Sequence, residues 1–242
     1  MKKYKWQIRL GAILISLSTF FYLIHYYIFH DAYTILFYLL SSIAFIPIDV
    51  FLVTVVIDKL IDRREKQSLL QKLNMVIGIF FSEVGTELLR VCTSADSNIE
   101  AINRKMLVTS EWCQEEFKDI KKDIKNYEYQ VDIKMVDKLY IKEFLNSKRD
   151  FLLSLLGNPS LLEHDSFTEL LQAVFHLQEE LLSRVDINEI SKEDEAHLEI
   201  DIMRAYRLLA YEWLVYMEFL KNNYPYLFYT AMKNNPYDNR RN

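Results

Sequence analysis

An all-α fold, a two-helix transmembrane hairpin followed by a cytoplasmic antiparallel helical bundle, is predicted by three features of the sequence. Only four glycines and four prolines punctuate 242 residues, too few turn residues for a strand-rich chain and favourable to long helices. Two apolar runs near the amino terminus are each long enough to cross a hydrocarbon core of about 30 Å. Beyond them, apolar residues recur at helical spacing. A composition of 51% hydrophobic and 14% aromatic residues supplies enough apolar surface for an anchor and one sizeable core. The boundary falls where the second run ends in charge, giving a hairpin over 1–66 and a bundle over 67–242.

The first span covers about residues 10–29. It follows a basic start, MKKYKWQIR, but the run Leu10–Phe29 exceeds a usual signal-peptide core and lacks a small-residue cleavage site, so it reads as retained. The second span, about residues 33–57, lies in AYTILFYLLSSIAFIPIDVFLVTVVIDKLIDRREK. Lys2, Lys3, Lys5 and Arg9 precede the first span and Arg63, Arg64 and Lys66 follow the second, while the connector His30-Asp31 holds no Lys or Arg. Basic residues stay on the cytoplasmic side, so both termini are expected there, in the cell (inner) membrane. Tyr22, Tyr26, Tyr27, Tyr33 and Tyr38 cluster at the outer end, and Tyr4 and Trp6 at the inner end, as in interfacial aromatic belts. Asp49, two residues after Pro47, is an ionisable group within the second span, and such groups mark candidate sites. Its depth is level with Arg9 of the first span. That position fits an Arg9–Asp49 pair locking the hairpin, an interfacial carboxylate, or an ion path through oligomerised hairpins.

In the second part, Leu69, Leu73, Val76, Phe80, Val84, Leu88 and Val91 form one apolar stripe, with Glu83 and Glu87 on or beside it at 100° per residue. TSADSN at 93–98 breaks the helix. Ser110 is a candidate cap for the charged segment ending near Tyr127, whose mixed charges read as a solvated face. Val136–Leu156 carries apolar residues around most of the helical circumference, and its second half reads as a buried helix stopped by Gly157, Asn158 and Pro159. Asp165 or Ser166 opens the next helix, Ser166–Glu169 matching a capping box; Ser191–Asp194 matches a second box for the last long helix, which Tyr224-Pro225 ends or bends. The aromatic tail YPYLFYTAMKNNPY is expected to pack across the bundle rather than on a leaflet.

The segments FLLSLLGNPSLLEHDSFTELLQAVFHLQEELLSR and HLEIDIMRAYRLLAYEWLVYMEFLKNNYPYLFYTAMKNNPYD resemble a family of uncharacterised prokaryotic membrane proteins with two amino-terminal transmembrane helices and a helical domain ending in a YPYLF and NP motif. The resemblance covers nearly the whole chain and implies architecture alone.

A net charge of −5 and a pI near 5.6 leave no broad basic surface for nucleic acid. No glycine-rich phosphate loop or nucleophile elbow occurs, so nucleotide binding and serine hydrolysis are not expected. Cys92 and Cys113 lack metal-type spacing and read as free thiols. His176 points away from the core face set by Leu170, Leu171, Val174, Leu181 and Leu182. His197, Asp201 and Arg204 align at i, i+4 and i+7 along one flank of the longest helix, toward the interior where Glu83 and Glu87 point. They are expected to form a buried network in which the acids hold Arg204 and His197 supplies a further hydrogen bond. The alternative is a divalent-metal site of Glu83, Glu87, His197 and Asp201; no cofactor is otherwise expected. The expected role is a membrane-anchored, non-enzymatic interaction module that self-associates or binds a protein partner, with lipid as its other partner. A carboxylate and histidine metal-binding bundle with a redox or hydrolytic role, and an oligomeric ion channel or pore built from the hairpin, are the alternatives.

Overall fold

The computed structural model describes residues 5–162, 164–184, 186–187 and 190–238. It divides into two compact units, Met1–Lys66 and Gln67–Asn242. No strand forms among the described residues; one isolated antiparallel bridge joins Asp96 to Val131.

The first unit contains α1, Lys5–Phe29, and the start of α2, Ala32–Phe80. His30 takes φ 51°, the left-handed conformation that ends helices, and its N–H bonds the Tyr26 carbonyl at 2.8 Å. Asp31 then caps α2, accepting from the N–H groups of Tyr33 at 3.0 Å and Thr34 at 3.2 Å and from the Thr34 hydroxyl. Two residues thus suffice for the connector, one to close a helix and one to open the next. Pro47 lies inside α2 without ending it. The segments Ile8–Phe29 and Ala32–Glu65 are long and apolar enough to cross a membrane, and none of their most apolar stretch is buried.

In the second unit the helix widens after Phe80 into a π turn, Phe81–Gly85, before α3, Thr86–Ser94. The Thr86 N–H reaches back five residues to the Phe81 carbonyl. The buried face now takes in Ile77, Phe81, Gly85, Leu89 and Cys92 beside Phe80, Val84 and Leu88. Two of the four glycines make this packing possible. A Cβ on Gly85 would lie 2.6 Å from the Phe81 ring and 2.8 Å from the Phe80 ring, and one on Gly78 would lie 2.9 Å from the Tyr216 hydroxyl. The Phe81 and Tyr216 rings stack at 5.4 Å, and Phe80 meets Phe167 edge-on at 5.3 Å.

Short helices follow: α4, Glu100–Asn103, a 3₁₀ turn at Arg104–Met106, and α5, Gln114–Lys125. Cys113, not Ser110, caps α5, with the Glu116 side chain returning to the Cys113 N–H. The residues before it are held instead by Lys221, whose ammonium bonds the Ser110 carbonyl at 2.8 Å and the Trp112 carbonyl. Val136–Leu156 holds two helices, α6, Lys138–Ser147, and α7, Arg149–Leu156, the second standing where a buried helix was expected and burying Leu152 and Leu155. Asp137 caps α6 through the Tyr140 N–H at 2.9 Å. The break follows Asn146-Ser147, residue types whose side chains compete for the backbone, and Ser147 does bond the Phe144 carbonyl at 2.6 Å. Gly157 closes α7 at φ −80°, so its left-handed freedom goes unused.

After α8, Pro159–Leu162, comes α9, Asp165–Ser183. Ser166 sits inside its first turn, and His164 is the cap, its Nδ1 accepting from the Phe167 N–H at 3.3 Å. Ser191 caps α10, Lys192–Asn223, where the sequence placed it, through the Asp194 N–H at 3.1 Å. Helix α10 is the central rod, packing against α9, α5, α3 and α11, Pro225–Lys233, while α6 and α7 cover α9. Tyr224 ends α10 and Pro225 opens α11 at its first position. The tail packs only in part. Phe228 and Tyr237 are buried, but Tyr226 is 82% exposed and Leu227 and Tyr229 are also exposed. The Asn-Pro turn is pinned by Asn235, which donates to the Met106 carbonyl at 2.9 Å, and by the Thr93 hydroxyl, which donates to the Pro236 carbonyl at 3.2 Å.

Candidate functional site

The residues of the expected network, Glu83, Glu87, His197, Asp201 and Arg204, do not meet one another. Glu83 is exposed and pairs with Lys148 at 2.7 Å. Glu87 accepts from Arg90 at 3.0 Å and from the Tyr140 hydroxyl at 2.8 Å, a bond that raises the Tyr140 pKa. His197 and Arg204 are exposed, and Arg204 lines a shallow cleft with Glu169 and Arg207. Asp201 faces His176 at 3.5 Å, the histidine whose side chain is half exposed. The expected buried network is therefore replaced by separate surface pairs. For the two glutamates the cause is the wider face of the π turn, which gives the interior to Phe81, Gly85 and Leu89 and leaves Glu83 and Glu87 outside it; on α10 the core face of Leu198, Ile202, Ala205 and Leu209 turns His197 and Arg204 to the surface. The metal alternative fails on the same geometry: among the described residues no three His, Cys, Asp or Glu side chains converge to hold an ion. Arg9 and Asp49 are both exposed and form no ion pair among the described residues, because α1 and α2 leave their side chains facing outward. Both cysteines are free, Cys92 buried and Cys113 exposed.

Polar groups gather in three other places. The first is a cleft of about 620 Å³ between α5 and α10, lined by Gln114, Lys118, Lys121, Lys122, Lys125 and Glu218. The four lysines fall at i, i+3, i+4 and i+7, within about a third of the helix circumference, while Glu115, Glu116, Asp119 and Asp123 occupy a second third. Phe117, Ile120 and Ile124 fill the remainder and face the core. Every charged i, i+4 pair on this helix is like-signed: Lys118–Lys122, Lys121–Lys125, Glu115–Asp119 and Asp119–Asp123. Such pairs each cost a helix about 0.2–0.5 kcal/mol; at i, i+3 the opposite-sign pairs Glu115–Lys118 and Asp119–Lys122 are outnumbered by the like-sign pairs Glu116–Asp119, Lys118–Lys121 and Lys122–Lys125, so repulsion outweighs attraction along the helix. Lys121 is held by Glu218, and the Lys125 ammonium lies 4.7 Å over the Tyr211 ring. Lys118 and Lys122 are exposed and have no carboxylate partner among the described residues. The spacing was the signal for this cleft.

The second place is Glu212 on α10, 1% exposed, with neither carboxylate oxygen hydrogen-bonded among the described residues. Burial pushes its pKa up; the Ser166 hydroxyl, without a hydrogen bond of good geometry, and then His164 and Lys121 pull the other way. The Ser166 oxygen lies 3.5 Å from His164 Nδ1, but that nitrogen is engaged as the α9 cap and is not a free base. A lone acid in the apolar stretch around Trp213 was the available sign.

The third is a tyrosine cluster around Asp96. Asp96 is buried and accepts from the Tyr127 hydroxyl at 2.7 Å, and its own backbone neighbours pair with the 130–132 strand-like segment. Tyr129 meets both Tyr127 and Tyr206 edge-on at 4.7 Å. Burial pushes Tyr127, Tyr129, Tyr206 and Tyr237 well above the usual tyrosine range.

Fold and sites define an all-helical protein of two units, an apolar helix pair and a bundle organised on one central rod. The description "Uncharacterized protein MJ1433, C-terminal helical domain" matches residues 69–233, and "MJ1433, N-terminal helical domain" matches residues 2–61. Uncharacterized protein MJ1433 of Methanocaldococcus jannaschii is 43% identical over 240 residues, 99% of this chain and 96% of that protein. The chain belongs to the MJ1433 family. No solved structure matches it.

Proposed function

We propose that the chain is an integral membrane protein whose amino-terminal helices anchor a non-enzymatic, partner-binding bundle at the cytoplasmic face. The observation that carries this is the apolar surface of the first unit: the 22-residue and 34-residue segments keep their large apolar side chains exposed. Each such side chain gains about 1.5–3 kcal/mol when removed from water, and hydrocarbon supplies that burial. The basic residues before Leu10 and after Ile61, against none in His30-Asp31, support an inward bundle. The dispersal of Glu83, Glu87 and Asp201, expected in one network or metal site, into separate pairs with Lys148, Tyr140 and His176 supports binding over catalysis. Partners are then lipid and protein, further copies of this chain among them.

The protein carries its own topology reporter. Cys113 is exposed on the bundle and Cys92 is buried, so a membrane-impermeant maleimide should leave intact spheroplasts unlabelled and label one thiol after permeabilisation. The chain should also stay in the pellet on alkaline carbonate extraction. Labelling of intact spheroplasts, or release by carbonate, overturns the proposal.

A further inference from the structure

We propose that the lysine-lined cleft between α5 and α10 binds a phosphate-bearing anion. It goes beyond the anchoring reading and does not rest on it. Four lysines on one face of a twelve-residue helix, in a chain of net charge −5, repel one another at every i, i+4 step. A ligand of opposite charge removes that repulsion. The single carboxylate in the cleft, Glu218, is already engaged by Lys121, which leaves Lys118, Lys122 and Lys125 to the ligand. Glu115 and Asp119 are the exposed acids within helical reach, three residues before Lys118 and Lys122 respectively, and neither forms an ion pair among the described residues; Asp123 is taken by Lys105 at 2.7 Å. Two of the lysines are positioned, Lys121 by Glu218 and the exposed Lys125 by the Tyr211 ring, while the exposed Lys118 and Lys122 are free to close over a guest. Lysines act on phosphate as point charges and need no fixed fork geometry, which suits an open cleft. At about 620 Å³ the cleft exceeds a bare inorganic ion and matches a phosphorylated small molecule or a phospholipid headgroup.

The two sources separate in one experiment on the full chain: lysine acylation footprinting read by mass spectrometry, with the exposed Lys134 as internal reference. One arm adds pyrophosphate to protein in non-ionic detergent; the other compares nanodiscs of phosphatidylcholine with and without phosphatidylglycerol. Selective protection of Lys118, Lys122 and Lys125 by pyrophosphate assigns a soluble phosphate compound, and protection only in phosphatidylglycerol discs assigns the headgroup. Protection in both arms leaves the shared chemistry standing. No selective protection in either arm, or equal protection of Lys134, overturns the proposal. Lys118→Gln with Lys122→Gln should weaken the protecting ligand by about fivefold per lysine, with an unchanged circular dichroism spectrum. A folded double variant that binds as tightly as the parent also overturns it.

Discussion

Replacing Glu212 by glutamine should make the protein more stable, and only above acidic pH. The carboxyl is 1% exposed, neither oxygen is hydrogen-bonded among the described residues, and burial raises its pKa above the ordinary 4.5. The sign follows from proton binding. From about pH 4.5 upward the unfolded chain has released a proton that the folded chain still holds, so stability falls as pH rises to the raised pKa and stays lowered beyond it. Glutamine has no such slope. An uncompensated buried polar group costs about 1–3 kcal/mol, more when charged. The nearby Lys121 is committed to Glu218 and His164 to its cap, so a mid-range gain of about 2 kcal/mol is expected at about pH 8, falling to none below about pH 4. For a chain of this length that is about 4–8 °C in midpoint. Fluorescence of Trp213, the buried neighbour on α10, reports thermal unfolding of the solubilised chain across that range. A glutamine variant no more stable than the parent at about pH 8, or a gain that does not change with pH, would refute the reasoning.

Three further outcomes follow from the same geometry. Gly85→Ala should destabilise the bundle by about 1–3 kcal/mol, because its Cβ would fall 2.6 Å from the Phe81 ring, whereas Gly157→Ala, with no contact under 3.4 Å, should be nearly neutral; denaturant melts of the two distinguish them. Stability should drop steeply above about pH 10, where unfolded tyrosines ionise but Tyr127, Tyr129, Tyr206 and Tyr237 keep their protons; absorbance titration at alkaline pH should show them ionising together with unfolding. A maleimide should modify Cys113 quickly in the native protein and Cys92 only on unfolding, since Cys92 is fully buried with its pKa pushed up to about 12; mass spectrometry of timed reactions checks it.

The helical class, the two apolar runs and the caps at Ser191 and Pro225 were legible because each rests on local chemistry: a missing N–H, a hydroxyl one residue before a helix, a run of apolar side chains. The network of Glu83, Glu87, His197, Asp201 and Arg204 was not: a wheel drawn at a uniform 100° per residue cannot register the π turn at Phe81–Gly85, and on α10 the buried face is set by Leu198, Ile202, Ala205 and Leu209, which leaves His197 and Arg204 outside it. The turn itself leaves a trace in the sequence. Phe80-Phe81 beside Gly78 and Gly85 places two of the scarce glycines where two adjacent aromatic rings must both turn inward. The His164 cap was hidden for a different reason: a neutral imidazole can accept a backbone N–H, yet histidine is no signature of a helix start, and the better matches at Asp165 and Ser166 drew the boundary one or two residues on.

Helix α5 shows why composition misleads at short range. Counting its charges gives a balanced, solvated segment; placing them gives three stripes of one character each, apolar, basic and acidic. Balanced charge that serves only solubility alternates in sign along i, i+4 and gains a few tenths of a kcal/mol per pair. Here each such pair is repulsive, so helix stability did not set the arrangement, and the apolar stripe of Phe117, Ile120 and Ile124 must hold the helix against it through core contacts. A basic stripe kept at that cost has its use outside the helix. Attachment to a bilayer is not that use if the amino-terminal spans insert, because a polybasic patch adds about 1 kcal/mol per lysine and a spanning helix needs none of it. What the stripe adds is selectivity in what touches the α5–α10 seam: it changes which anion, soluble or lipid-borne, the bundle meets there, and through Lys121, Glu218 and the nearby Glu212 it ties that choice to the central rod.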